Sequence, residues 1–510
     1  MYNLDIVVGA GYGDEGKGRI TSFLANEYDA NDTVVVIATG SAQRGHTAWN
    51  KDMTIRHVFH HFGSATLDGY DTYIPNTYRV NPLMFRKEYE ELRELGITPT
   101  VYLDKNCYIV LPHHMLINQC VEELKAIDGR QSGSCGMGVY ESIMRSAFRD
   151  GTSFTVDNFI KSIDNLEDMI GDSFTIGYLQ GRIMCYEIPL TSRDKIDKYN
   201  EYRDIYNDRN IIKSFIDDFK FMLEHCVLVD SIEDVKRRYH NFIFECSQGL
   251  GINQGTHILI SEFTPMKCGT YSTVGLINSF EESERNITIN YVTRWYATKH
   301  GGCAVPYFDE SLHFKDKTNV YNKWQCNMTF GYLDVNSLIH CIAIDRNHFK
   351  NEVHSAFNVN LFITCFDQIE DVHKIKFIYD GKMEYGFNNL IHTISDKFNK
   401  TNIYTFLNEN NDSIITLVNK RKCKNDKLEE HFYSGKPHRI DEIPITLDAI
   451  DWNDISNALN MHIEDVNPSV SYAINTFTPN NVTFSQTAAT YNTDLNNIYT
   501  TNSSSCWRVV

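Results

Sequence analysis

The sequence predicts an α/β fold with a mostly parallel central sheet, flanking helices and one helical excursion. Three observations support this prediction. Short β-branched runs alternate with stretches of helical apolar spacing, a glycine-rich turn of P-loop-like composition follows the first run, and a long charged stretch of helical character interrupts the later runs. With 510 residues, of which 42% are hydrophobic, the chain is long enough to bury a large core.

The first predicted unit comprises residues 4–40. Two β-branched runs, "LDIVVGA" (4–10) and "TVVVIATG" (33–40), flank "GRITSFLANEY", whose apolar residues recur with helical spacing. Strand–helix–strand units make parallel strands joined by right-handed crossovers, and such sheets bind ligands at the carboxyl ends of their strands. The sequence therefore predicts a ligand site at the turns that follow these two strands.

The rest of the chain continues this alternation. Residues 83–96 predict an amphipathic helix, and residues 151–240 predict the helical excursion. Later strands are expected at five apolar runs: 241–247, 287–293, 339–345, 359–367 and 374–380. Because no clear linker divides the sequence, we interpret residues 1–485 as one domain with a polar insertion at 408–442, followed by a C-terminal tail at 486–510.

The overall charge excludes some classes of function. A formal net charge of −18 argues against a general nucleic-acid or anionic-membrane binder, since such proteins need a basic face. No apolar run is long enough to span a membrane and no signal-peptide pattern opens the chain, so the cytoplasm is the expected location. The thirteen cysteines include no C-x-x-C pair, which favours reduced thiols over a zinc knuckle or a disulfide framework.

The turn "GAGYGDEGKG" (9–18) resembles a phosphate-binding loop with two changes. Lys17 completes G-x-x-x-x-G-K, but Gly18 replaces the Ser or Thr that holds magnesium in a P-loop. Asp14 and Glu15 place carboxylates in the loop, and a carboxylate about 4 Å from a phosphate is repelled by a few kcal/mol. Asp14 is therefore a candidate magnesium ligand or general base. The alternative is that both acids cap the following helix, and this alternative is favoured for Glu15.

The turn "TGSAQRGHT" (39–47) follows the second strand and should open on the same edge of the sheet. It carries His46, which would stand near Asp14. A carboxylate and an imidazole at neighbouring strand ends are the pair expected of a general base and a general acid. Spacing alone favours a structural histidine, and the neighbouring loop shifts the balance toward function.

These motifs resemble the signatures of the adenylosuccinate synthetase family. Residues 12–19 match its W-G-D-E-G-K-G-K, and residues 43–47, "QRGHT", match its N-A-G-H-T. Six further motifs follow in family order: "HHFGSA" (60–65), "SCGMGVYE" (134–141), "FECSQG" (244–249), "RWYATKHGGCAVP" (294–306), "FGYLD" (330–334) and "FITCFD" (362–367). The resemblance spans about residues 1–485 and implies an adenylosuccinate synthetase-like fold.

The resemblance implies a ligase that joins L-aspartate to C6 of IMP at the expense of GTP or ATP. The products would be adenylosuccinate, a nucleoside diphosphate and phosphate, formed through a 6-phosphoryl intermediate. By the same resemblance Asp14 removes the N1 proton, His46 acts as general acid toward the phosphates, and Lys17 neutralises the transferred phosphoryl group. Mg²⁺ would be held by Asp14 and by the carbonyl of Gly45.

The resemblance also assigns binding residues. Those of the triphosphate are Gly13, Glu15, Gly16, Lys17, Gly18, Gly45, His46, Thr47 and Asp367, the last of which would read the donor base. Those of the acceptor nucleotide are Asp14, Gln43, Ser134, Cys135, Arg149 and Gln248. A homodimer is implied, in which Arg145 or Arg149 crosses into the partner's acceptor site; an ordinary surface arginine is the alternative.

The sequence departs from the family at the loop that binds aspartate. Cys326, Asn327, Met328 and Thr329 stand where the family has arginines, which leaves Lys323 and Gln325 as the aspartate-loop candidates. Guanidinium groups clamp carboxylates in a bidentate geometry that lysine does not reproduce. Lys299 or Arg44 could take over instead. "TCFD" also lacks the lysine of the family's T-K-L-D, so the choice between GTP and ATP stays open.

Two other functions are compatible with these departures. A phage branch of the family uses dGMP and makes N6-succino-2-amino-2′-deoxyadenylate, and "QRGHT", "NKWQ" and "TCFD" are closer to the divergent branches. In that branch the loop aspartate is typically a small residue, so Asp14 favours IMP. The second alternative is a degraded, regulatory purine-nucleotide-binding protein. Loss of the arginine cluster suggests it, and retention of Asp14, Lys17 and His46 argues against it.

Overall fold

A computed structural model describes residues 1–148, 154–253, 264, 266–314, 316, 318–319, 321–368, 374–397 and 402–405. The polar insertion predicted at 408–442 and the tail predicted at 486–510 lie outside these residues.

The described residues form seventeen strands, and most are short, apolar and buried. In chain order they are β1 (Tyr2–Gly9), β2 (Thr33–Ile37), β3 (His46–Trp49), β4 (Arg56–Phe59), β5 (Asp71–Ile74), β6 (Arg79–Val80), β7 (Val101–Asp104), β8 (Tyr108–Ile109), β9 (Val227–Val229), β10 (Asn241–Gly249), β11 (Arg285–Arg294), β12 (Tyr296–Lys299), β13 (Thr329–Asp334), β14 (Phe357–Thr364), β15 (Lys376–Tyr379), β16 (Lys382–Tyr385) and β17 (Asn402–Thr405).

Thirteen α-helices occur among the same residues. They are α1 (Lys17–Ala25), α2 (Pro82–Glu94), α3 (Pro112–Ile127), α4 (Val139–Ser146), α5 (Val156–Lys161), α6 (Leu166–Ser173), α7 (Ile176–Cys185), α8 (Arg193–Tyr206), α9 (Arg209–Glu224), α10 (Ile232–Lys236), α11 (Val274–Ile277), α12 (Val335–Glu352) and α13 (Phe387–Lys397). Among the described residues, we find no helix that combines the length and apolar character needed to cross a membrane.

The central sheet has nine strands in the order β17-β14-β11-β1-β10-β2-β5-β7-β9, and all its pairings are parallel. Alternation along β1 supplies a core to each face. Ile6 and Val8 pack in the cluster that contains α12, whereas Val7 packs with Ile20 of α1. Coverage of both faces explains why the central strands read as continuous apolar runs, and the predicted mostly parallel sheet is confirmed.

The helical excursion is also confirmed for the described part of residues 151–240, which holds α5 to α10. Helices α8 and α9 pack against α3 and α2. Their shared core is aromatic, with Phe159, Phe215 and Phe219 all buried. Within residues 151–240 a strand was not anticipated: β9 adds a parallel edge strand beside β7.

One predicted strand is wrong, and another lies outside the central sheet. Residues 339–345 lie inside α12, which begins where Asp334 accepts a hydrogen bond from the N–H of Asn336 at 3.1 Å. A short apolar run cannot distinguish a buried helix from a strand, and here the cap decides. Residues 374–380 do form a strand, β15, but it belongs to a separate four-stranded sheet in the order β12-β13-β15-β16.

Candidate functional site

A cavity of about 760 Å³ opens at the carboxyl ends of the central strands. The turn after β1 and the turn after β2 both line it, as the strand–helix–strand pattern predicts. The ends of β10, β11 and β14 contribute Gln248, Arg294 and Thr364 to the same wall. The two turns that carry Asp14 and His46 therefore face one enclosed space.

The first turn brings Asp14 to this cavity through an unusual backbone. Gly13, Asp14 and Gly16 have φ values of 110°, 60° and 95°, all left-handed. Such a conformation costs about 1–3 kcal/mol for a non-glycine residue and persists only where its surroundings impose it. Arg294 contributes here, because its Nε donates to the carbonyl of Asp14 at 2.5 Å. The Asp14 carboxylate then lies 3.5 Å from Nε2 of His300.

Glu15 turns the opposite way, into the protein. Its Oε1 accepts the N–H groups of Gly11 at 3.1 Å and Gly13 at 2.8 Å, and its Oε2 lies 2.6 Å from Nζ of Lys17. Helix α1 begins after Gly16, its N-cap residue, and has no side-chain hydrogen bond that caps it. The interpretation of Glu15 as a helix cap is therefore wrong. Its side chain does not line the cavity with the triphosphate candidates but supports the loop and Lys17 from behind.

Close packing explains why Gly18 replaces the Ser or Thr of a P-loop. A Cβ atom on Gly18 would lie 2.9 Å from the carbonyl oxygen of Thr47 and 3.0 Å from Cβ of His46 and Oγ of Ser64. Any side chain there would push α1 away from β3. The hydroxyl that a P-loop uses for magnesium cannot be accommodated at this position.

The second turn places His46 against a carboxylate that the sequence interpretation missed. Nδ1 of His46 lies 2.6 Å from Oε1 of Glu245, which is on β10 and completely buried. Nη1 of Arg44 lies 3.2 Å from Oε2 of the same carboxylate. The signal was available: Glu245 is the single charged residue in "NFIFECS", inside a strand that is otherwise apolar at its centre.

The protonation states of this pair follow from its surroundings. Burial, followed by the charge of Arg44, lowers the pKa of His46 to about 4 despite the opposing influence of Glu245. Burial alone would raise the pKa of Glu245, but the charges of Arg44 and His46 and the hydrogen bonds outweigh it and bring it to about 2. At neutral pH Glu245 is therefore ionised and His46 neutral, so the proton between them belongs to Nδ1.

Three further residues that line the cavity come from the "RWYATKHGG" segment, and of these the sequence singled out only Lys299, as a candidate for aspartate. Arg294 bridges the Asp14 carbonyl and the Asp316 carboxylate, the latter at 3.1 Å from Nη2. His300 contacts Asp14, and its Nε2 also lies 3.1 Å from Oδ1 of Asn319. Lys299 is buried and donates to the carbonyls of His300 at 2.8 Å and Cys303 at 3.2 Å. Of these three residues, His300 contacts the Asp14 carboxylate, Arg294 holds the Asp14 carbonyl, and Lys299 lines the same cavity.

Four of the residues predicted to hold the acceptor nucleotide line the same cavity. Gln43, Ser134, Cys135 and Gln248 all line the cavity. Gln248 has a left-handed φ of 68°, a second strained residue at a strand end. Ser134 Oγ accepts from Nδ2 of Asn118 at 2.7 Å. Burial raises the pKa of the Cys135 thiol to about 11, so it stays protonated. These four side chains come from three separate segments and line one cavity, and their role toward an acceptor nucleotide stays a prediction.

Most of the residues predicted to bind the triphosphate also line the cavity: Gly13, Gly16, Lys17, Gly18, Gly45, His46 and Thr47. Arg149 lies outside the described residues, as does the side chain of Asp367. Gln325 of the aspartate-loop candidates reaches the cavity.

Three predicted basic residues are engaged elsewhere. Lys323 is 58% exposed and pairs with Glu123 at 2.6 Å, outside the cavity, because a solvated lysine can turn to the nearest acid. The Arg44 guanidinium is fully buried against Glu245, so it cannot clamp a substrate carboxylate. Arg145 is buried, with its guanidinium carbon 4.8 Å from the ring centroid of Phe154.

The residues present fit the magnesium ion that the sequence predicts. Asp14 offers a carboxylate and Gly45 an exposed backbone, and both line the cavity. Among the described residues no group of three acidic, histidine or cysteine side chains forms a closed metal cage. Magnesium commonly takes one or two carboxylates and completes its shell with water and substrate phosphates, so an open oxygen-donor set of this kind suits it.

Comparisons with known proteins point to a single family. The model of the adenylosuccinate synthetase family matches residues 6–379. The adenylosuccinate synthetase of Thermosynechococcus vestitus is 26% identical over 304 residues, which cover 57% of this chain and 60% of the relative. That of Endomicrobium trichonymphae is 24% identical over 378 residues, covering 73% of this chain and 78% of the relative. The chain thus spans about 60% of the length of relatives such as the Thermosynechococcus protein.

Solved structures share the fold at low sequence identity. The fully ligated adenylosuccinate synthetase of Plasmodium falciparum superimposes with a TM-score of 0.54 at 17% identity, covering 80% of this chain and 97% of that one. The succinoaminodeoxyadenylate synthetase of cyanophage S-2L, bound to dGMP and dATP, gives a TM-score of 0.50 at 13% identity over 80% of this chain and 93% of that one. With the family model covering most of the sequence, the chain belongs to the adenylosuccinate synthetase family.

Proposed function

We propose that this protein is a purine nucleotide ligase that joins L-aspartate to C6 of IMP, using a purine nucleoside triphosphate and Mg²⁺. One observation carries the proposal: the Asp14 carboxylate, Lys17 and His46 line a single cavity at the carboxyl ends of β1 and β2, which flank β10 in the sheet. A carboxylate beside an anion-binding loop is a liability for simple phosphate binding and an asset for a reaction that moves both a proton and a phosphoryl group.

In the proposed first step Asp14 takes the N1 proton of IMP, and negative charge develops on O6. O6 bonds to the γ-phosphorus while the bond from that phosphorus to the β-phosphate oxygen breaks, which releases the nucleoside diphosphate. The left-handed backbone and the Arg294 bond to its carbonyl hold Asp14 in place for this transfer. Lys17 would neutralise charge on the moving phosphoryl group, with Glu15 keeping its ammonium at the loop.

In the second step the aspartate amine attacks C6 and phosphate leaves. The new C–N bond replaces the C6–O bond, and the proton that the amine gives up leaves with the phosphate as the ring regains its aromaticity. Phosphorylation of O6 is required because an amide-like oxygen is a poor leaving group. His46 would act as general acid toward the phosphates. This role requires the imidazolium form of His46, and the negative charge of the neighbouring phosphates favours that form. Asp14 and Gly45 would hold the magnesium ion, which when bound neutralises charge on the phosphates.

The proposed acceptor subsite consists of Gln43, Ser134, Cys135 and Gln248. For aspartate we propose Lys299 and Gln325, because both line the cavity whereas Lys323 does not. The other residues predicted for the triphosphate keep that role in the proposal. We also propose a homodimer in which Arg149 reaches into the acceptor site of the partner subunit. The donor is GTP or ATP.

A dGMP-using ligase is the second candidate. The phage enzyme of similar fold was solved with dGMP and dATP, and the arginine cluster expected for aspartate is absent from residues 326–329 here. Asp14 favours IMP, since the resemblance places a small residue there in the dGMP branch.

The test is a panel of IMP, GMP, dGMP and dIMP against ATP and GTP with aspartate, read by the mass of the succinylated product. Adenylosuccinate from IMP is the expected result, and Asp14→Ala should abolish turnover while Lys323→Ala, outside the cavity, retains it. Product from dGMP but not IMP would replace the proposal by the second candidate. Nucleotide binding without any product, or full turnover by Asp14→Ala, would contradict both ligases.

A further inference from the structure

Four hydrogen-bond donors converge on the buried carboxylate of Glu245. Oε1 receives Nδ1 of His46 at 2.6 Å together with Oγ of Ser64. Oε2 receives Nη1 of Arg44 at 3.2 Å and the backbone N–H of Ser64 at 3.1 Å. Each oxygen is thus committed to two donors, and the side chain is completely buried.

The sheet fixes Glu245 at the point where the His46 turn begins. In the register of β10, Glu245 lies between Val7 of β1 and Ile37, the last residue of β2. The N–H of Ala38 donates to the Glu245 carbonyl at 3.1 Å before the chain leaves the sheet. The carboxylate cannot move away from the turn, because its backbone is paired on both sides.

Arg44 decides which oxygen is left for His46. It stands where the family signature N-A-G-H-T has alanine, so it is a feature of this chain. Its guanidinium is fully buried and donates to the Phe62 carbonyl at 2.6 Å as well as to Glu245. A buried guanidinium needs a carboxylate, and a charged donor competes more strongly than a neutral one. Arg44 therefore occupies Oε2 and leaves Oε1 facing the imidazole.

We propose that Glu245 and Arg44 are positioning residues that hold His46 in its Nδ1–H tautomer, with the Nε2 lone pair toward the cavity. The tautomer itself does not depend on the reaction; its catalytic consequence rests on the proposed function. Donation of Nδ1–H to a carboxylate fixes the ring orientation and makes Nε2 more basic, as in other histidine–carboxylate pairs. Neither residue needs to touch a substrate.

The tautomer can be measured by ¹⁵N NMR of the full-length protein labelled in its histidines, with no substrate present. His46→Gln identifies the His46 signals by their loss. Wild type should show protonated Nδ1 and unprotonated Nε2. In Glu245→Gln the single amide oxygen should go to Arg44, which turns the amide NH₂ toward the imidazole and shifts His46 to the Nε2–H tautomer.

A double variant separates positioning from general damage to the core. In Arg44→Ala/Glu245→Gln the charged competitor is gone, and only the neutral backbone N–H of Ser64 competes with His46 for the amide oxygen, so the Nδ1–H tautomer should return at least in part. Glu141→Gln is the matched control. Glu141 is also a fully buried carboxylate paired with an arginine, with Oε2 2.7 Å from Nε of Arg182, and its replacement should leave the His46 tautomer unchanged.

Activity gives the second readout. Glu245→Gln should lower kcat at least about tenfold, and the double variant should recover part of that loss. An Nε2–H tautomer in wild type, an unchanged tautomer in Glu245→Gln, or no return in the double variant would each overturn the proposal. If Glu245→Gln does not fold, the wild-type and double-variant tautomers decide. Absence of turnover with every nucleotide would refute the ligase and leave the NMR result standing.

Discussion

Two sides of the cavity handle charge in opposite ways. The floor, which comprises residues 9–18, 39–47 and 245–248, holds Glu245, Arg44 and the Glu15–Lys17 pair at 3% exposure or less. The outer wall comprises residues 130–136 and 321–326, and its Lys323 is 58% exposed. Neutral contacts join its two segments: Nε2 of Gln131 donates to the carbonyls of Lys323 and Trp324 at 3.0 and 2.7 Å.

This difference shows what fixes each side. A buried charge is tolerated only with its partner in place, so on the floor any displacement of one group exposes another to a large desolvation penalty. On the outer wall water substitutes for a lost partner, and alternative pairings cost little. The floor should therefore be rigid and sensitive to substitution, and the outer wall adaptable.

The largest effect is expected from Glu245→Ala on the floor. It leaves Arg44 buried without a carboxylate and should lower the free energy of unfolding by about 3–5 kcal/mol. Urea unfolding followed by tryptophan fluorescence measures the change. Glu123→Ala is the matched control, because Glu123 of α3 pairs with Lys323 of the outer wall and is 18% exposed, and it should lose distinctly less. Equal losses in both variants would remove the distinction between floor and wall.

Glu15→Gln should be the next most severe. The amide oxygen can still accept from Gly11 and Gly13, but the amide nitrogen faces the Lys17 ammonium, which is left buried without a counter-charge. We expect a loss of about 2–4 kcal/mol, measured by the same unfolding assay. A loss below about 1 kcal/mol would show that the buried pair does not hold the loop.

Asp345 shows the effect of burial without that of an ion pair, because no basic side chain among the described residues is paired with it. It accepts from Tyr291 and Thr270, and burial raises its pKa from 3.8 to about 6. Since the folded pKa exceeds the unfolded one, this group favours folding most below pH 3.8, and that stability is lost as the pH rises through about 6. Asp345→Asn should therefore gain about 1–3 kcal/mol relative to wild type on going from pH 4 to pH 7.

Urea unfolding at both pH values tests this expectation. The same difference between variant and wild type at pH 4 and pH 7 would contradict it, because only a titrating carboxylate makes the difference depend on pH.

The smallest effect is expected from Lys323→Ala on the outer wall. Its ion pair with Glu123 is solvated, so the free energy of unfolding should change by no more than about 0.5 kcal/mol. The KM for aspartate should stay within about twofold of wild type. A large increase in that KM would return Lys323 to the aspartate site and show that the outer wall reorganises when substrate binds.

The sequence by itself determined the parallel sheet, the two turns and the candidates Asp14, Lys17 and His46. These features depend on short-range patterns: β-branched runs, glycines at left-handed positions and a lysine at fixed spacing from them. The helix at residues 339–345 escaped the same reasoning, because its apolar run is compatible with either state until the cap at Asp334 is known.

Only the tertiary structure decided the partners. Glu245 lies 199 residues from His46 in sequence, and His300 lies far from Asp14, so no local pattern could join them. In the folded protein Glu15 also points inward, Lys323 points outward and Arg44 forms a buried ion pair. The physical reason is shared: spacing along the chain identifies groups that can do chemistry, whereas desolvation in the folded protein determines which groups face one another and which protons they carry.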